Sequence, residues 1–305
     1  MTKGAAAAAP DLVVLDREVA AGRIVRGALA VSVRRLARAE PAARAGRDPE
    51  GVHRMRVATR RLRSDLRTFE GVLDADWAES LRTELRWVAR ALGGSRESDV
   101  LRARLGERLA APRAIGPDPA EPIRAALRRE ADAAADVLRA ALASDRYVAL
   151  RARLEAAAAD PRFGPERDLP AMRALAPRVH RRFRALRREV RAAGSRPSDA
   201  ALHAIRIRAK RARYAAEALA PVGGPDVVRF AAAAKRLQAV LGAHQDAVAA
   251  ADWLAAWADG TGGRAAGIEL ARRLAAAERL EAAAARERWA PAWRRLDDPA
   301  LRGWM

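Results

Sequence analysis

Cysteine is absent from this 305-residue chain. That removes disulfide frameworks, thiolate metal sites and cysteine nucleophiles, and leaves the redox state of the compartment open. Asparagine is absent too, lysine occurs only as Lys3, Lys210 and Lys235, and aromatic residues make up 4 %. Little is left with which to stack on or read nucleic-acid bases. No stretch approaches the roughly 20 uninterrupted apolar residues of a membrane span. The first ten residues, with one Lys and a five-Ala run, are too short and too weakly apolar for an export signal. Without either signal, a cytoplasmic protein is expected. The four His lie far apart and no Asp-rich loop occurs, so no metal constellation is visible, and no cofactor is expected. Walker, GxSxG and kinase signatures are missing as well.

What remains is strongly basic. Lys and Arg number 58 against 38 Asp and Glu, a net charge of +20, which calls for a polyanionic partner. The preference for Arg over Lys fits a GC-rich genome, but exchanging Lys for Arg changes no charge, so the excess stands as a functional signal. Half of the residues are hydrophobic, ample for a buried core. Strand signals are nearly absent, while Ala, Leu, Arg and Glu dominate. Gly and Pro cluster between segments of helical periodicity. An all-α protein of about ten helices is predicted, with Pro112–Pro122 as its best internal linker.

Self-comparison divides the chain. Residues 53–63, HRMRVATRRLR, align without gaps on 203–213, HAIRIRAKRAR. His53 meets His203, Arg56 meets Arg206, Arg60 meets Lys210, Arg61 meets Arg211 and Arg63 meets Arg213, all at an offset of 150. At an offset of 149, Arg86 meets Lys235, Leu92-Gly93 meets Leu241-Gly242 and Glu97 meets Asp246. Asp48 and Ser198-Asp199 are candidate N-caps of the two basic helices. Each half, 11–145 and 146–305, is expected to run in one order. A long helix leads to a capped basic helix, then to a third helix, a break at Leu-Gly, and a helix with an acidic start.

On a helix, His53, Arg56, Arg60, Arg63 and Arg67 fall on one stripe, and Met55, Thr59, Leu62, Leu66 and Phe69 on the opposite one. The second helix repeats this, with His203, Arg206, Lys210 and Arg213 opposite Ile205, Ala209, Ala212 and Leu219. Stretches 53–67 and 203–213 hold 11 bases in 26 positions, with Asp65 the single acid. Neutralising i,i+4 partners are therefore expected to be missing. Such a ladder of guanidinium groups, each able to take two phosphate oxygens, suits a chain of phosphates. His53 and His203, heading matched stripes, are read as phosphate contacts rather than caps. Arg86 and Lys235 join them on the third helices. Arg96 is expected to open a helix beside Gly93-Gly94, where free backbone N–H groups also favour anions. Asp99 and Asp246 read as caps or salt-bridge anchors, the Trp253/Trp257 and Trp289/Trp293 pairs as core, and His180 and His244 as incidental.

Four motifs taken together resemble the CHAD family, the conserved histidine α-helical domain. They are residues 52–67 (VHRMRVATRRLRSDLR), 92–100 (LGGSRESDV), 202–214 (LHAIRIRAKRARY) and 235–246 (KRLQAVLGAHQD). The resemblance implies two helical bundles related by pseudo-two-fold symmetry, with a basic groove or channel between them. It further implies non-catalytic binding of inorganic polyphosphate, with polyphosphate granules as an associated location. By position it places the family's His on His53 and His203. Its basic residues fall on Arg56, Arg60, Arg61, Arg63, Arg206, Lys210, Arg211, Arg213 and Lys235. Glu97 stands where the family usually has Asp. Other polyanions remain possible ligands, and a nucleic-acid-associated protein using the same basic surface is the alternative reading.

Overall fold

The periodic segments form helices because their apolar stripes must be buried and their residues pay little entropy to coil. The computed structural model describes residues 16–45, 49–106, 108–110, 118–260 and 264–305. Among these, nine α-helices and a closing 3-10 turn, Pro299–Leu301, follow one another without a strand. In order they are α1 (Ala21–Ala45), α2 (Pro49–Thr68), α3 (Ala75–Gly106), α4 (Glu121–Ala143) and α5 (Asp145–Ala159). The second half holds α6 (Ala171–Ala193), α7 (Asp199–Gly260), α8 (Ala265–Glu287) and α9 (Trp289–Leu296). The all-α expectation holds. Helix α7 is two arms joined at Gly224, whose φ of 69° and ψ of −161° leave helical space. Glycine takes that left-handed φ without a Cβ penalty, and Pro225 then opens the second arm.

The repeat is written into the backbone. Ala20 forms an antiparallel bridge with Pro170, its own counterpart at an offset of 150. Ala21 N–H donates to the Leu169 carbonyl at 2.8 Å, and Ala171 N–H donates to the Val19 carbonyl at 2.9 Å. Hydrogen bonds that exchange between equivalent residues place a pseudo-two-fold axis between the starts of α1 and α6. Under it α1 matches α6, α2 the first arm of α7, α3 the second arm, and α4 matches α8. The packing follows suit: α1 lies on α2 as α6 lies on α7, and α3 on α4 as α7 on α8. Across the axis α1 meets α6 and α2 meets α7. Helix α5 packs on α1, α3 and α4, and so sits with the first half.

One large core spans both halves. It includes Leu29 and Val33 of α1, Met55, Leu62 and Leu66 of α2, Phe183 of α6, and Ile205, Leu219 and Phe230 of α7. The predicted apolar stripes of both basic helices are fully inside. A smaller cluster, among it Leu105, Ile123, Leu127 and Leu254, joins the far ends of α3, α4, α7 and α8. Trp253 and Trp257 pack against it, while Trp293 stacks on Phe183 with centroids 6.0 Å apart.

Two expectations need correction. The Leu-Gly pairs break no helix: α3 runs through Gly93-Gly94 and α7 through Gly242. Each glycine costs about 1 kcal/mol inside a helix. The buried stripe Leu81, Leu85, Val88 and Leu92 continues to Ser95, and each buried Leu returns roughly 2 kcal/mol, so the helix wins. His244 is not incidental. It is buried, with Nδ1 2.9 Å from the Ala282 carbonyl and Nε2 3.0 Å from Asp199 Oδ1, tying α8 to both arms of α7. Ser198 caps α7 by accepting from Ala201 N–H at 3.2 Å, whereas Asp199 serves the His244 link instead; Asp48 lies outside the described residues. No helix of the described residues is long and apolar enough to cross a membrane.

Candidate anion-binding site

Helix α2 and the first arm of α7 meet across the pseudo-axis. Each buries its apolar stripe, so their basic faces converge. At the meeting point Arg60 Nε donates to the Tyr214 hydroxyl at 2.7 Å. The Tyr214 ring is buried beneath three guanidinium groups, those of Arg213 at 4.5 Å, Arg61 at 5.6 Å and Arg60 at 5.8 Å from its centroid. Cation–π contact of this kind holds cations together that would otherwise part.

Below this layer the charges are neutralised. Arg61 pairs with Asp65 at 2.9 Å and also with Glu217. Arg213 pairs with Glu217 at 3.3 Å, and Ser32 donates to Asp65 Oδ2 at 3.1 Å. The expected lack of i,i+4 partners is thus corrected at Arg61–Asp65 and Arg213–Glu217, and Arg54 also has Glu50 at 3.9 Å. Arg61 and Arg213 are tied into the framework that joins α1, α2 and α7. Burial pushes the Asp65 carboxyl up to about 6, against the lowering effect of Arg61 and Ser32.

Above it the cations crowd one another. Lys210 is pushed down to about 8, first by burial and then by Arg60, Arg206, Arg56 and Arg211. Those neighbours come from both helices, so Lys210 reports a cation cluster built by the two halves. Arg206 is lowered by burial, with Arg60 adding to the effect and Asp246 opposing it. Its guanidinium lies over Gly242, where a Cβ would be 3.6 Å from Nε. Arg56 has Glu97 at 3.8 Å. Arg56 facing Glu97 and Arg206 facing Asp246 are the same arrangement in the two halves.

The cluster continues toward α3 and α6. Arg63 is lowered by burial and then by Arg86, Arg82, Arg67 and Arg90. Arg211 is lowered by burial, then by Arg67, Arg208, Arg63 and Arg82. Arg182 of α6 is lowered by burial, then by Arg67, Arg211 and Arg181. Arg82, Arg90, Arg182 and Arg208 were missed in the sequence. The i, i+4, i+8 spacing of Arg82, Arg86 and Arg90 was the available signal.

The other predicted residues are placed as follows. His53 is half-buried on α2. His203 is exposed, with Nδ1 2.8 Å from Gln245 Oε1. Arg86 is exposed and pairs with Glu79 at 3.2 Å. Lys235 is exposed on the second arm of α7, and no charge interaction of the cluster involves it. The backbone of Arg96 lies inside α3 rather than at a helix start, so neighbouring N–H groups are committed to the helix. Its side chain lies outside the described residues.

Comparison with known proteins agrees with the helical fold. The CHAD domain profile matches residues 27–255. Two uncharacterized proteins of Mycobacterium tuberculosis are each 33% identical over 213 residues, covering 67% of this chain. They are MT2285 of strain CDC 1551 / Oshkosh and Rv2226 of strain ATCC 25618 / H37Rv. The match covers only 40% of each of those proteins. Among solved structures, PptA from Streptomyces chartreusis superposes with a TM-score of 0.72 at 25% identity, over 90% of this chain and 99% of that one. The CHAD domain from the plant Ricinus communis gives 0.72 at 26% identity, over 95% and 96%. A doubled helical unit, a basic pair of helices at its axis and a profile match over most of its length make this chain a member of the CHAD domain family.

Proposed function

We propose that the protein binds inorganic polyphosphate, without catalysis of its own, in a groove floored by α2 and the first arm of α7. The observation that carries this reading is the crowding of Arg56, Arg60, Arg206 and Lys210, drawn from both halves and dense enough to depress Lys210. Guanidinium groups here take phosphate oxygens in pairs, and the polyanion displaces counterions as it enters. The cations of Arg63, Arg67, Arg82 and Arg211 extend the path past the first contact. His53 and His203 add hydrogen bonds near its rim.

Nucleic acid suits the groove less well. Base stacking needs an open aromatic face, and Tyr214 is buried under three arginines. Competition separates the two ligands: long-chain polyphosphate is expected to displace RNA and DNA, with no reverse displacement. Arg60→Glu with Lys210→Glu is expected to abolish polyphosphate binding, and His53→Ala with His203→Ala to weaken it moderately. Affinity that survived the double charge reversal would sink the assignment. Phosphate release in the presence of Mg²⁺ or Mn²⁺ is expected to stay at background, and turnover would overturn the non-catalytic part.

A further inference from the structure

The exposed faces of α1 and α6 carry a second basic surface. On α1, Arg23, Arg34 and Arg38 share one stripe, opposite the buried Ile24, Val25, Leu29, Val33 and Leu36. On α6, Arg173, Arg184 and Arg188 share the corresponding stripe, opposite Ala174, Leu175, Val179, Phe183 and Leu186. The two sets match residue for residue at an offset of 150, the same offset that relates the groove helices. All six are exposed. None forms an ion pair or side-chain hydrogen bond with a described residue, and none is among the residues with further interactions. No acid lies on either stripe: Glu40 is buried with Arg44 and Tyr147, and Glu189 pairs with Arg208.

This surface is distinct from the groove. Helices α1 and α6 lie behind α2 and the first arm of α7, and their stripes point away from those partners. None of the six stripe arginines is among the charges named as depressing the groove cations Arg63, Arg182, Arg206, Lys210 and Arg211. The stripes are therefore read as a site separate from the groove. The outer stripes hold no aromatic or amide group for reading bases. Their helices have their apolar faces in the core, so neither has one to lay in a lipid interface. Guanidinium groups spaced along an open helix face suit the same repeating phosphate that the groove takes.

We propose that α1 and α6 form a second polyphosphate-docking surface, so that one molecule holds two chains, or two segments of one chain, on opposite faces. The protein then cross-links polyphosphate as well as binding it. The inference rests on the groove reading and adds a valence to it. Being fully exposed, the outer contacts are screened by salt more readily than the half-buried groove contacts.

The test uses the full chain with short and long polyphosphate. Wild type is expected to bind two short chains per molecule, the tighter in the groove, and to cloud with a long chain. Arg34→Glu, Arg38→Glu, Arg184→Glu and Arg188→Glu together are expected to leave the tighter short-chain binding unchanged, to remove the weaker, and to lower long-chain avidity about a hundredfold, as losing one of two linked sites does. Clouding is expected to disappear. A control of equal charge change, Arg129→Glu on α4, Arg273→Glu and Arg279→Glu on α8 and Arg264→Glu just before α8, is expected to cloud like wild type. Replacing the four stripe arginines by Gln gives a milder version, and folding of every variant is checked by its helical circular dichroism. Added salt is expected to clear the wild-type suspension before the tighter short-chain binding is lost. If the stripe variant clouds like wild type, or the control loses clouding equally, the inference fails. Clouding by RNA that polyphosphate does not reverse would assign the stripes to nucleic acid and also overturn it. Absence of the tighter short-chain binding in wild type would instead refute the groove reading.

Discussion

Lys210→Arg removes one titration from the groove while keeping its charge. In the free protein Lys210 sits near 8 against an ordinary 10.5. The difference is roughly 3 kcal/mol of disfavoured charge. A bound phosphate chain supplies the missing counter-charge. If it restores Lys210 to its ordinary range, binding and protonation are coupled by that amount. The sign follows from the depressed value. Below about pH 8 the amine is charged in both states, and it adds no pH dependence to binding. Between about 8 and 10.5 only the complex holds the proton, so affinity falls by about tenfold per pH unit. Calorimetry in buffers of different ionisation enthalpy is expected to show close to one proton taken up per complex near pH 9. In Lys210→Arg that uptake vanishes while binding at pH 7 persists. Wild-type affinity that stays flat from pH 7 to pH 10, or equal uptake in the variant, would refute the reasoning.

Two further outcomes follow from the packing. Gly242→Ala is expected to bind polyphosphate like wild type, since the added Cβ makes ordinary contact with Arg206 at 3.6 Å. Gly242→Leu occupies the space of that guanidinium and weakens binding, as a titration at fixed salt will read. Asp65 is held near 6 rather than 3.8. A carboxyl whose folded pKa is raised contributes stability in acid that is lost as pH rises. This group therefore gives up roughly 3 kcal/mol between about pH 4 and pH 6. Urea unfolding of Asp65→Asn is expected to show a flatter slope than wild type across that window.

Helical class, repeat and buried stripes were legible because each is periodic. Met55, Leu62 and Leu66, like Ile205 and Leu219, recur at helical spacing, and burial has no competitor at such positions. Tertiary context decided the rest. Gly93 and Gly242 look like breakers in isolation, but lie inside helices whose neighbours are buried. Glu217 stands four residues past Arg213, just beyond the aligned stretch, so its bond to Arg61 across the axis was invisible in either helix alone. Arg182 reaches the cluster from α6, which local spacing cannot show. The outer arginines of α1 and α6 obey the 150-residue offset as well as the groove residues do. They escaped notice because no His or Gly motif marks them.

A crystal structure of the protein with bound polyphosphate would show whether a phosphate chain runs between the two halves over α2 and the first arm of α7. Continuous density is expected past Arg56, Arg60, Arg206 and Lys210, with the His53 and His203 ends of the helices at its edges. Density confined to other surfaces, with these four side chains free of phosphate, would contradict the groove reading.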